Sequence, residues 1–309
     1  MATFRSRSRK PAGETAASLA SRDALVRAAR WELVPIKSIE PAIEALPAGA
    51  SVSVSCSPAK GVDATLDVCA RLIDHGHDAV PHIATRMVAD REHTARIAAW
   101  AERYRPSELF VIAGDAETPS GPYEGAAAFL RDLFEAGGVS SSIGVSGYPD
   151  GHPLIDVAVQ REHLHLKQDL LRAAGVAGSV STQMCFDIPR IVAWTERLRA
   201  DGVTLPIRLG IPGVVDRARL LTLGTRLGIG QSLRYLRKNR AAIGQLVAPG
   251  GYDPTVLVEG VASRATELAI TSLHVFTFNA IADSVAWADG LLAESAAGDG
   301  DAGRAAAGN

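Results

Sequence analysis

The sequence predicts an α/β protein in which eight parallel strands alternate with helices and close into a single barrel. Short β-rich apolar runs alternate with longer segments of helical periodicity, and this alternation indicates a parallel sheet covered by helices. The chain of 309 residues contains eight such runs, and a barrel of eight strand–helix units takes about 250 residues. The predicted strands are 31–35, 51–56, 79–83, 109–113, 142–146, 178–183, 206–211 and 273–277.

The segments between the strands have the pattern of crossover helices. Residues 62–75 and 188–200 place Leu, Ile, Val and Ala at intervals of three and four residues, with charged residues between them. The interval 212–274 is too long for one helix, so we expect extra helices between strands 7 and 8. A doubly wound open sheet is the main alternative, but its dinucleotide-binding form requires Gly-x-Gly-x-x-Gly after the first strand, and this chain lacks that motif there.

We expect the barrel domain to occupy residues 23–295, between two disordered tails. Residues 1–22 are basic and poor in apolar side chains. They resemble an organelle transit peptide, but a disordered basic tail is the better interpretation of this composition. Residues 296–309 are rich in Gly, Ala and Asp and have no periodic apolar face, so we expect disorder there as well.

Composition favours a small-molecule partner in the cytoplasm. A formal charge of −2 with mixed signs gives no basic footprint for nucleic acid and no polybasic stripe for a membrane surface. No apolar run reaches the roughly 20 residues that span a bilayer. The three cysteines have no CxxC spacing, which argues for a reducing compartment and against a zinc site or a disulfide framework. We expect no bound metal.

Five polar residues fall at or just after the ends of predicted strands: Glu32, His82, Asp115, Gln183 and Asn279. Each alone is often a helix cap or a core residue with one hydrogen bond. Because active sites of α/β barrels lie at the carboxyl ends of the strands, five polar residues at one rim predict a functional site. The amide of Gln183 can pair with a planar heterocycle such as a pterin.

Several motifs that follow the strands in order resemble one family. With Glu32 on strand 1, they are Gly114-Asp115, Gly147-Tyr148-Pro149-Asp150-Gly151-His152-Pro153, Thr182-Gln183 with Phe186-Asp187, Gly210-Ile211-Pro212-Gly213 and Thr277-Phe278-Asn279. Over roughly residues 30–295 the chain thereby resembles 5,10-methylenetetrahydrofolate reductase. The resemblance implies a (β/α)8 TIM barrel that reduces the methylene bridge of methylenetetrahydrofolate to a methyl group with electrons from a reduced nicotinamide.

The resemblance also implies roles for individual residues. Glu32 is the expected general acid that protonates N10 of the folate, which suits a carboxyl whose pKa burial raises toward neutrality. Asp115 is expected to contact the pterin and to offer negative charge to a developing cation. Gln183 and Asn279 are expected to bind the substrate. The residues expected at the nucleotide are His82, Tyr148, His152 and His165.

Most of the family binds FAD, and three segments depart from its flavin-binding pattern. His165-Leu166-Lys167-Gln168-Asp169 stands where Asn-Leu-Lys-Arg-Lys is usual, Ile112-Ala113-Gly114-Asp115 where Leu-Arg-Gly-Asp is usual, and Tyr123-Glu124-Gly125-Ala126 where Tyr-Ala-Ser-Asp is usual. Since a pyrophosphate is held by cationic partners or helix N-termini, the loss of positive charges in these segments indicates a protein without FAD. We therefore expect NADH to pass hydride directly to the folate in a ternary complex.

The sequence is also compatible with other functions and mechanisms. The same reaction could run through bound FAD with ping-pong kinetics, or the barrel could bind folate or a corrinoid partner without redox chemistry. A barrel aldolase is disfavoured because no lysine stands at a predicted strand end to form a Schiff base. The choice of NADH over NADPH comes from the resemblance alone, and a homo-oligomer is compatible with the sequence.

Overall fold

The computed structural model of the protein describes residues 16–137, 142–215 and 252–306. It contains a closed barrel in which each strand pairs in parallel with the next and β8 pairs with β1. The strands are β1 (Arg30–Leu33), β2 (Ser51–Val54), β3 (Asp78–Ala84), β4 (Glu108–Ile112), β5 (Ser142–Gly147), β6 (Gly178–Thr182), β7 (Ile207–Pro212) and β8 (Ile270–Phe276). The predicted eight-stranded α/β barrel is confirmed.

Helices surround the barrel. They are α1 (Ala16–Arg27), α2 (Ile39–Glu44), α3 (Gly61–Asp74), α4 (Arg91–Tyr104), α5 (Ala126–Glu135), α6 (Val157–Ala174), α7 (Ile188–Ala200), α8 (Thr255–Ala262) and α9 (Ile281–Ala306), with a short 3₁₀ helix, Thr85–Met87, after β3. Helix α8 is an extra helix between β7 and β8, while the rest of that interval, 216–251, lies outside the described residues. Within the described part of the chain, none of the helices combines the length and apolarity needed to cross a membrane.

The terminal helices differ from the domain boundaries expected from composition. Helix α1 begins at Ala16 and buries Arg22, whose guanidinium pairs with Glu259 of α8 and donates a hydrogen bond to the Leu291 carbonyl of α9. Helix α9 continues to Ala306. The boundaries expected at residues 22 and 295 therefore fall inside helices. Composition alone could not show this, because the partners of Arg22 lie more than 230 residues away in the sequence.

Alternation along the strands divides the barrel into an apolar outer layer and a polar interior. In β2, Val52 and Val54 are fully buried among the apolar residues that pack the strands against the helices. Their neighbours Ser51 and Ser53 point to the opposite face, since successive strand residues alternate between faces. The main hydrophobic core thus lies between the sheet and the helices, and polar side chains are left to line the inside of the barrel.

Candidate active site

Three buried polar side chains meet inside the barrel: Glu32 of β1, His82 of β3 and His274 of β8. The Nε2 atom of His274 lies 2.7 Å from Oε2 of Glu32, which is hydrogen-bonding distance. The Nε2 atom of His82 lies 4.0 Å from the same oxygen and has no hydrogen-bond partner among the described residues. The rings of Phe110 and Phe276 each lie 4.7 Å, centroid to centroid, from one of the two histidines. We call Glu32, His82 and His274 the carboxyl–histidine cluster.

The register between β1 and β8 explains why Glu32 and His274 lie side by side. Strand β1 pairs with β8 so that Arg30 stands opposite His274 and Glu32 opposite Phe276. Alternation then turns all four side chains to the same face of the sheet. His82 was expected to contact a nucleotide, but the structure places it beside the proposed acid.

Burial dominates the electrostatics of the cluster. Burial raises the pKa of Glu32 to about 7, although the nearby His82 opposes the rise. It lowers the pKa values of His82 and His274 to about 3, because both imidazoles would have to carry a charge away from water. Near neutral pH both histidines are therefore neutral, and the carboxyl can hold a proton. A proton donor at neutral pH needs this property.

The three side chains are also of the kinds that bind transition metals, and their ligand atoms lie within 4.8 Å of one another. However, two ligands of one tetrahedral zinc ion stand roughly 3.3 Å apart, given metal–ligand distances of about 2.0–2.2 Å. The 2.7 Å separation of Glu32 and His274 is instead that of a hydrogen bond. The geometry favours a pair that shares a proton, and the expectation of no metal stays a prediction.

A second set of charges lies below the cluster, at the amino ends of the strands. Glu108 accepts a hydrogen bond from Arg30 at 2.5 Å and one from Ser179 at 2.7 Å, and it pairs with Arg208 at 3.4 Å. We call these four residues the lower ionic layer. These four residues are not among those predicted from the sequence. The available signal was a charged residue in an otherwise apolar strand, such as Glu108 at the start of β4.

A third group, Asp115, Tyr148 and His152, lies on the loops that follow β4 and β5. The rings of Tyr148 and His152 meet edge to face at 5.0 Å. Burial lowers the pKa of His152, and the Asp115 carboxylate opposes that shift, as expected for neighbouring charges. Gly114 shapes the loop after β4, because it has φ of +85° and a Cβ there would lie 2.7 Å from the side chain of Ala84. The structure thus brings these three predicted residues together.

Gln183 directly follows β6 and is half-buried. Its backbone N–H donates to the Gly147 carbonyl, which holds the residue against the end of β5. Its side-chain oxygen accepts a hydrogen bond from the backbone N–H of Met184 at 2.9 Å. The side-chain NH₂ of Gln183 has no partner in the described part of the chain, so its two donors remain for a ligand.

Asn279 has φ of +66° at the exit of β8, and its amide is occupied by the chain itself. Its oxygen accepts a hydrogen bond from the backbone N–H of Val34 at 2.8 Å, while its nitrogen donates to the Val34 carbonyl at 2.9 Å and to Ser38 at 3.1 Å. These bonds join the loop after β8 to the loop after β1. They account for the residue structurally and give no support to the expected contact with substrate.

The segment His165 to Asp169 lies in the middle of α6. Gln168 accepts a hydrogen bond from the backbone N–H of Thr204 and donates one to the Gly202 carbonyl, both in the loop that enters β7. His165, half-buried on the same helix, makes no contact with the cluster. The inferred loss of phosphate contacts at Gln168 stays a prediction.

Comparisons with known proteins agree with the motifs. A family model described as methylenetetrahydrofolate reductase matches residues 111–225. Over 149 residues the chain is 40% identical to methylenetetrahydrofolate reductase 1 of Schizosaccharomyces pombe, which covers 44% of this chain and 22% of that protein. Over 107 residues it is 35% identical to methylenetetrahydrofolate reductase 2 of Saccharomyces cerevisiae, which covers 32% of this chain and 17% of that protein.

The chain thus spans about a fifth of the length of these yeast relatives. Among solved structures, a Clostridium thermocellum protein described as binding two copies of 5-methyl-5,6,7,8-tetrahydrofolic acid has the same fold, with a TM-score of 0.57. The match covers 89% of this chain and 96% of that one at 12% identity, which is a likeness of fold. The family model and the yeast relatives thus show that part of this chain, including residues 111–225, is similar to methylenetetrahydrofolate reductases.

Proposed function

We propose that the protein reduces 5,10-methylenetetrahydrofolate to 5-methyltetrahydrofolate by direct hydride transfer from NADH in a ternary complex. The observation that carries the proposal is the buried carboxyl of Glu32, whose pKa burial raises to about 7 inside the barrel of a chain that is similar to this family. NADH rather than NADPH, and a cytoplasmic location, are parts of the same proposal.

The first step is the opening of the five-membered ring of the folate. Glu32 donates its proton to N10, the bond between N10 and the methylene carbon breaks, and the nitrogen keeps the electron pair. The methylene carbon is left as an iminium cation on N5. A carboxyl with a pKa of about 7 is protonated often enough near neutral pH to do this, and a positioned acid typically contributes 10²–10⁴-fold to rate.

In the second step the methylene carbon accepts a hydride from C4 of the reduced nicotinamide. The products are 5-methyltetrahydrofolate and NAD⁺, so one substrate, one NADH and one proton are consumed. The carboxylate of Asp115 can stabilise the cationic intermediate, and Tyr148 and His152 offer ring surfaces beside it. The free NH₂ of Gln183 can donate to an acceptor on the pterin ring.

The loop after β4 supports a mechanism without flavin. Ala113 supplies no cation there. The guanidinium of Arg86, which reaches the same loop, donates hydrogen bonds to the carbonyls of Ala116 and Glu117 at 2.7 Å each and pairs with Glu124 at 2.8 Å. A cation that is occupied in this way is a poor partner for the pyrophosphate of FAD.

Cofactor content and kinetics test the proposal together. Purified protein is assayed with NADH and methylenetetrahydrofolate, and methyltetrahydrofolate is quantified alongside NADH oxidation. We expect one methyltetrahydrofolate formed per NADH oxidised, a colourless preparation, and double-reciprocal lines that intersect because both substrates bind together. The matched control is Glu32→Gln, which keeps the size of the side chain but has no proton to donate.

Each alternative has its own outcome. A yellow preparation with stoichiometric flavin, or parallel lines in the double-reciprocal plot, would show the same reaction running through FAD. Folate binding without NADH oxidation would indicate a barrel that binds folate without redox chemistry. If the protein neither binds folate nor oxidises NADH, the proposal as a whole is refuted.

A further inference from the structure

The two oxygens of the Glu32 carboxyl have different surroundings. Oε2 is held at 2.7 Å by Nε2 of His274, whereas Oε1 has no partner among the described residues. Glu32 is 7% exposed and His274 is 2% exposed, so both partners of this hydrogen bond are buried. The structure therefore distinguishes a fixed oxygen from an available one.

We propose that His274 is a positioning residue for Glu32: the neutral imidazole donates its Nε2–H to Oε2 and so leaves the proton on Oε1, directed toward the substrate nitrogen. This inference rests on the acid role of Glu32 in the proposed function. His274 touches neither substrate nor nicotinamide in this account. It acts by fixing the orientation of the carboxyl before the proton leaves and by stabilising the carboxylate afterwards.

The role requires a neutral His274, because a cationic imidazole at this distance would hold Glu32 as a carboxylate and remove its proton. The surroundings favour the neutral form. Burial acts in this direction, and Arg208 of β7 and Arg30 of β1 add positive charge from below, which disfavours a further cation. The ionisable groups that face His274 are Glu32 and Arg30 from β1, His82 from β3, Glu108 from β4 and Arg208 from β7.

Two substitutions separate positioning from simple packing. His274→Leu fills similar space without a donor, whereas His274→Gln places an amide NH₂ near the position of Nε2 and can restore the bond to Oε2. His93→Gln is the matched control, because His93 is also buried but lies on α4, where it contacts Asp63 outside the barrel interior. Folding of each variant is checked by circular dichroism before assay.

Turnover gives the first measurement. We expect His274→Leu to lower kcat about 10- to 100-fold with little change in the KM for folate, as for loss of one hydrogen bond to a charged group. The fall in kcat on the alkaline side should move to higher pH, because the carboxylate has lost a donor. His274→Gln should recover most of kcat and the original pH profile, and His93→Gln should match the wild type.

Infrared titration gives a second measurement that needs no turnover. The carboxyl band that disappears in Glu32→Gln is followed with pH in the wild type and in His274→Leu. An upward shift of its midpoint in His274→Leu supports the positioning, even if the wild type proves unable to reduce folate, a result that would refute the proposed reaction alone. An unmoved midpoint, unchanged kcat, or equal losses in the Leu and Gln variants would overturn the inference.

Discussion

Replacing Glu32 with glutamine tests the central chemical claim with a small structural change. The amide has the size of the carboxyl, and its oxygen can still accept the hydrogen bond from His274 that the structure shows at 2.7 Å. The variant lacks only a proton that it could give to N10. Substrate binding should therefore survive while turnover is lost.

The expected magnitude follows from the raised pKa. With a pKa of about 7, about half of the Glu32 side chains are protonated at pH 7, whereas at the ordinary value of 4.5 only about 1 in 300 would be. Burial thus enlarges the population of competent acid roughly 150-fold at that pH. Removing a positioned general acid costs about 10²–10⁴-fold, and we expect kcat of Glu32→Gln to fall by that amount.

The assay is NADH oxidation with methylenetetrahydrofolate between pH 5.5 and 9, with folate affinity measured separately by equilibrium binding. Wild-type kcat should decline above about pH 7, as the acid loses its proton, and the residual rate of the variant should lack that decline. Near-normal turnover in Glu32→Gln, or the same alkaline decline in both proteins, would refute the reasoning.

Further predictions concern stability and binding. The pKa of Glu32 in the folded protein, about 7, exceeds its ordinary value of 4.5. The stabilising contribution of the protonated carboxyl is therefore complete below pH 4.5 and is lost as the pH rises through 7. In urea unfolding between pH 4.5 and 8, the free energy of unfolding of the wild type should fall by up to about 3 kcal/mol relative to that of Glu32→Gln. Glu108→Ala should lower the free energy of unfolding by about 3–5 kcal/mol, since Arg30 keeps its buried charge without its closest carboxylate, and unchanged urea unfolding would contradict this. Asn279→Ala should cost about 1–3 kcal/mol of stability with little change in the folate KM, whereas a large rise in KM at normal stability would restore its expected contact with substrate. Gln183→Ala should weaken folate binding in an equilibrium titration, and unchanged affinity would remove it from the site.

Much of the fold could be predicted because periodicity reports directly on local structure. The alternation in Ser51–Val54 indicates a strand with one apolar face, and the spacing of apolar residues gives Ile188–Ala200 as a helix with the same bounds in sequence and structure. The terminal helices were harder, because Arg22 is buried by partners on α8 and α9 that no local pattern reveals.

The candidate site was only partly predictable for a related reason. Glu32 could be recognised by its motif and its place near the end of a strand. His274 could not, since it lies 242 residues away and meets Glu32 only when the barrel closes between β8 and β1. His82 and Asn279 show the converse difficulty, because position at a strand end does not tell whether a side chain faces a ligand, a neighbouring acid or the backbone of the next loop.

The lower ionic layer fills the amino end of the barrel interior. In the described part of the chain, Arg30, Glu108 and Arg208 lie on that side of Glu32, so we expect Glu32 to exchange protons with solvent through the mouth. A folate seated there would cover that route. Glu32 would then keep, in the loaded complex, the protonation state that it had when the folate bound. A complex formed above the pKa of Glu32 would stay inactive until the folate left, so kcat would fall with rising pH.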